Sequence, residues 1–165
     1  MATVTFKKGD EYIEKLEQLS RELKREVIGE AVYEGASIVA DAVKAGISSI
    51  PTESPGAWGT PEKPLRGLNA KQKAGLHNSF GIAPLKDDGD GFLHVKLGFD
   101  GYNDIKTKRW PKGQPNAMIA RSVERGTSIM KETPFMKKAV AKARNRAREA
   151  MKRKVDENIE KIMKG

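Results

Sequence analysis

Apolar residues in this chain fall into two long stretches of helical period, separated by short alternating runs. From Glu11 to Ser49 the period is helical. Ile13, Leu16, Leu19, Leu23 and Val27 form one stripe. Ile28, Ala31, Val32, Gly35, Ile38, Val39, Ala42, Val43 and Gly46 form a second. At about 100° per residue the two stripes differ by roughly a third of a turn. That offset predicts a kink or break near Val27 to Gly29. The second stripe is rich in Ala and Gly, so a neighbour packs closely on it, either the core or another subunit.

The shorter elements follow from alternation and turn chemistry. Thr3 to Lys7 alternates and reads as a short strand, ended by Gly9-Asp10, with Asp10 placed to cap the first helix. Asn69 to Asn78 reads as a short helix. Ser79 to Leu85 and Phe92 to Phe99 read as strands joined by a turn over Lys86 to Gly91, where Asp-Gly occurs twice. Ala117 to Arg125 fits a helical spacing. Gly126 stands where that apolar run stops, so a positive-φ turn is expected there.

A last helix runs from Pro134 to about Lys164, with Thr133 as N-cap and Pro134 at the first helical position. Met136, Ala139, Val140, Ala143, Ala147, Ala150 and Met151 form its apolar stripe. Beyond Lys154 the apolar positions step mostly by four, and each such step overshoots one turn by about 40°. The distal third, 152–165, therefore reads as an extension that bends away or touches another chain. The expected fold is α+β in one domain over 1–165: a long N-terminal helix, a small antiparallel sheet with a hairpin, and a long C-terminal helix.

Two segments have no period. Residues 51–68 hold four of the eight prolines, three glycines and Trp58; residues 100–115 are basic and hold Tyr102 and Trp110. Both read as long flexible loops, with Trp58, Tyr102 and Trp110 as candidate assembly contacts.

Composition narrows the chemistry. At 38% hydrophobic and 32% charged, the 165 residues support a modest core. Cysteine is absent, which excludes disulfides, thiolate metal sites and a Cys nucleophile. No apolar run nears the roughly 20 residues of a membrane span, and the N-terminus has no signal-peptide pattern. Net charge is +9, and most of it is local: nine cations lie between Lys137 and Lys154 against Glu149 alone. Lys137, Lys138, Lys142, Arg144, Arg146 and Arg148 are the candidate DNA-facing side chains, on a face that attracts polyanions.

Catalytic signatures are missing. His77 and His94 lie on different predicted elements without ligand spacing. There is no nucleophile elbow, phosphate-binding loop or zinc-protease helix. The Lys86–Gly91 run lacks the spacing and the closing Glu of a calcium loop. Glu124 reads as a cap or ion-pair partner before it reads as a general base. No cofactor and no enzymatic activity are expected.

Glu124-Arg125-Gly126-Thr127-Ser128, then Pro134-Phe135-Met136-Lys137-Lys138-Ala139, resembles the tail-completion, or head–tail joining, minor structural proteins of tailed bacteriophages and prophages. Gly75-Leu76-His77-Asn78-Ser79-Phe80 resembles that family's Gly, Leu and Ser leading into a strand. The order of elements is similar over most of the chain. Two departures are Arg125, where an aromatic or apolar residue is usual, and a longer basic tail. The resemblance implies Gly75, Leu76, Ser79, Glu124, Gly126, Thr127, Ser128, Pro134 and Phe135 as motif residues. It implies a ring-forming virion component that joins the tail tube to the connector, made in the bacterial cytoplasm. Within such a ring the basic helix could face DNA in the lumen. The alternative is a basic nucleic-acid-binding protein using the 137–154 face.

Overall fold

The computed structural model describes Ala2–Thr5 and residues 21–165. The expected Asp10 cap, Ile13, Leu16, Leu19 and the strand beyond Thr5 lie outside the described residues. In order, the elements are β1 (Ala2–Thr5), α1 (Arg21–Ser49), β2 (Thr52–Glu53), β3 (Leu68–Asn69), α2 (Ala70–Ser79), β4 (Phe80–Ile82), β5 (Lys86–Asp87), β6 (Leu93–Phe99), α3 (Asn116–Arg125) and α4 (Phe135–Lys164). The fold is α+β, as the patterning predicts. None of the described helices is long and apolar enough to cross a membrane.

β6 is the centre of the sheet. It pairs antiparallel with β1 through Val4–Val95, with β4 through Phe80–Phe99, and with β5 through Lys86–His94. Val95 and Leu97 are fully buried. The hairpin turn is shorter than expected, because Lys86 and Asp87 pair as strand residues. It is confined to the residues around Gly89 (φ 87°) and Gly91 (φ 77°), conformations that an L side chain resists. β2 and β3 form a separate parallel pair.

α1 runs without interruption from Arg21 to Ser49, so the break expected near Gly29 is absent. The two stripes have another cause: the helix is covered on two faces. A Cβ at Gly29 would lie 2.9 Å from Leu85 Cδ2, in the hairpin layer. A Cβ at Gly35 would lie 2.5 Å from Met151 Sδ, on α4. Six residues at about 100° each put those two glycines on different sides of one helix.

The α1–α4 seam is antiparallel. Gly46 packs on Phe135 and Ala139, Gly35 on Met151, and Glu30 meets Lys154 and Asn158. On α4 the row is Ala139, Ala143, Ala147, Met151, Val155 and Ile159, four apart and all buried. α1 meets it through Gly35 and Gly46, eleven residues apart and so within about 20° of one side. Small side chains let the axes approach closely. Val155 is fully buried and Ile159 is 7% exposed. The distal third of α4 therefore stays on its own chain, contrary to expectation. Its four-step row drifts around the cylinder, yet Val155, Asn158 and Ile159 all stay buried.

Gly35→Leu should force a branched side chain onto Met151 and separate the helices. A loss of about 1–3 kcal/mol is expected in urea denaturation. Gly81→Ala, where a Cβ meets nothing within 4 Å, should stay within about 0.5 kcal/mol.

Candidate functional site

The residues from Glu124 to Lys137 form a clasp between α3 and α4. α4 begins at Phe135, with Pro134 rather than Thr133 in the N-cap position and no side-chain bond from the cap residue. The orphan amides of the first turn are satisfied from elsewhere. Met136 N–H donates to Glu124 Oε2 at 2.8 Å, and Lys137 N–H donates to Glu124 Oε1 at 2.9 Å. A carboxylate is favoured there by both hydrogen bonding and the helix dipole. Pro134 has ψ 67°, outside the helical range, so the helix starts one residue later and its cap residue brings no side-chain acceptor.

The chain between the two helices is tightly folded. Gly126 ends α3 with φ 71°, as expected, and a Cβ there would lie 2.9 Å from Glu132 N. Thr127 and Met130 exchange backbone hydrogen bonds at 2.8 and 3.3 Å. Thr127 Oγ1 accepts from Ile129 N–H at 3.3 Å, and Thr133 N–H returns to Val123 O at 2.7 Å. Ser128 is exposed. Phe135 is buried and meets Phe99 at 6.2 Å between ring centroids, and Phe99 meets Phe80 at 4.9 Å. The aromatic series joins α4 to both β6 and β4.

The clasp also holds the 51–68 segment. Leu65 N–H donates to Ile129 O at 2.9 Å, and Lys131 N–H donates to Leu65 O at 2.8 Å. Glu53 Oε1 accepts from the amides of Arg66 and Gly67, closing the base. Trp58 stands out from this bonded loop at 82% exposure.

The other motif residues sit at the far end of α2, which carries a capping box between Asn69 and Gln72. Leu76 is fully buried, and Ser79 O accepts from Asp100 N–H. Gly75 is needed for close approach: a Cβ there would lie 2.6 Å from Asn116 Oδ1 and 2.8 Å from Asn103 Cβ. These two buried asparagines begin a network that sequence reading did not find. Asn103 Oδ1 accepts from Ile105 and Gln114 amides, and Gln114 Oε1 accepts from Asn103 Nδ2 and Gln72 Nε2. Asn116 Nδ2 donates to Asp100 O. Together they fix both ends of the 100–115 segment. Tyr102 is 56% exposed there, and Arg109 lies over the half-buried Trp110 ring at 5.4 Å. The Asn at position 103 was the available signal, since its side chain readily closes a turn on the residue two ahead.

The clasp and the basic face meet at the start of α4. Lys137, Lys138, Lys142, Arg144, Arg146 and Arg148 are all exposed. Among the described residues no carboxylate lies within ion-pair distance of them. Nor does any group of three or more His, Asp or Glu in that part of the chain converge as a metal site. His94 instead faces Asp88 across the hairpin turn at 3.3 Å.

No family model, curated protein or solved structure matches this chain.

Glu124→Ala removes two capping bonds at once. An unfolding loss of about 1–2 kcal/mol is expected, with a fall of roughly 2–4 °C in thermal midpoint per kcal/mol. Glu124→Gln should fall between the variant and the parent, because its amide offers one acceptor oxygen.

Proposed function

We propose that this protein is a non-enzymatic structural component of a tailed-phage virion, joining the tail tube to the head connector as a ring. The observation that carries the reading is what the motif residues do. Glu124 and Phe135 tie α3 and the sheet to α4, and Gly126 and Thr127 fold the turn whose Ile129 and Lys131 bond the 51–68 loop. These residues hold shape, which suits a protein whose work is contact. The resemblance in motif order points to the same role. Trp58, Tyr102 and Trp110 then act as contacts to neighbouring subunits. A bonded base for Trp58 supports this, because a pre-ordered anchor loses little entropy on docking.

A second reading rests on the exposed cations of α4 from Lys137 to Arg148. Six of them along one helix suit phosphate contact, which gives salt-dependent and sequence-indifferent affinity. In a ring the same face would meet DNA in the lumen.

Size-exclusion chromatography with light scattering tests the first reading. Species larger than the 18.2 kDa chain are expected, alone or on mixing with tail-tube or connector protein. A strict monomer indifferent to both overturns it. For the second, duplex DNA titrated at about 0.15 M salt should bind the parent, and the triple Arg144→Glu, Arg146→Glu, Arg148→Glu variant should lose binding. Undetectable binding by the parent removes that reading.

A further inference from the structure

Between β1, the end of β6, α3 and the first turns of α4 lies a groove of about 800 Å³. Its floor is apolar, formed by Val39, Phe99, Ala120, Met136 and Val140. Its rim carries Arg121, Arg125, Lys137 and Arg144, all exposed. Among the described residues none of these four has a carboxylate within ion-pair distance. Glu124 borders the groove too, but both its oxygens are held by the α4 amides. Among the described residues, four cations and one carboxylate thus border an apolar surface.

One wall is Ala2, Thr3 and Val4. Successive side chains of a strand point to opposite faces. Three consecutive residues line one groove when it borders the edge or the end of the strand; Lys96 bonds toward β4, so its partner Thr3 turns its backbone groups to the free edge. β1 is the outer strand of its sheet, paired on one side with β6. Among the described residues no strand pairs with its other side. An open edge of this kind accepts a further strand through main-chain hydrogen bonds.

We propose that the groove docks an extended acidic segment of a partner protein. The segment adds to β1 as a strand, seats alternate apolar side chains on the floor, and sets carboxylates against Arg121, Arg125, Lys137 and Arg144. Charge complementarity selects this occupant. A basic or neutral segment offers these four cations no partner, and a second copy of the chain brings a net charge of +9. The inference stands on the groove and holds whether or not the chain forms a ring.

The probe is a dye-labelled peptide of about ten residues alternating Val and Glu, titrated onto the full chain by fluorescence anisotropy at about 0.15 M salt. Saturable one-to-one binding is expected, with slowed amide exchange at Thr3 or Thr5. Arg121→Glu with Arg125→Glu should weaken it by about tenfold or more. Arg146→Glu with Arg148→Glu, outside the groove, should change it by less than about twofold. A matching Val-Lys peptide should not bind. Absence of saturable binding overturns the proposal. So does equal weakening by the two double variants, which indicates general attraction to a basic protein. Unchanged exchange in β1 overturns it as well, as does a change of oligomeric state as the main effect of the groove variants, which makes a second copy the occupant.

Discussion

Close contact between α1 and α4 is the constraint on which the rest of the molecule depends. Each helix is about thirty residues long, and each buries small or slender side chains along its length. Ala31, Gly35, Ala139, Ala143 and Ala147 contribute little apolar area singly. Their value lies in letting two backbones run side by side, so that dispersion accumulates along the whole seam. With α4 covering one face of α1, the other face is left for the sheet. α1 thereby becomes the centre of the molecule, between β6 and α4.

The clasp supplies what the seam lacks. Small side chains set closeness, but Ala and Gly recurring along both helices allow several registers. Glu124 fixes where α4 begins, and Phe135 places that beginning against Phe99 and Phe80. The Leu65–Met130 bridge brings in the 51–68 loop at the same point. Polar capping, an aromatic series and a backbone bridge thus converge within about a dozen residues. The shape of the groove and the direction of the basic face follow from that one starting point.

Periodicity made the long helices legible, and turn chemistry located Gly126 and the hairpin. What it could not show was how many neighbours a helix has. The shift of stripe near Gly29 looked like a break because two covered faces and one bent helix give the same pattern of residues. The drift of Val155 and Ile159 looked like a departure from the fold because the part of α1 beside them is remote in sequence; Asn158 and Glu30 are 128 positions apart. Glu124 was legible as a cap, while its recipients across the loop were not. The Asn103–Gln114–Gln72 network left little trace, since polar residues brought together by tertiary structure carry no period. The groove was hidden for the same reason: its lining comes from five separate elements. The virion role remains a reading of motif order and of what the motif residues hold.

The distance between the two halves of the seam also bears on how the chain is made. α1 leaves the ribosome more than a hundred residues ahead of Ile159, carrying its Ala and Gly row uncovered. During that interval the sheet can cover one face of the nascent helix, but the other waits for synthesis to reach α4. Contacts of such long range close slowly, and apolar surface left open meanwhile invites association with other chains. The α1 row is therefore open to mispairing from its emergence until α4 covers it.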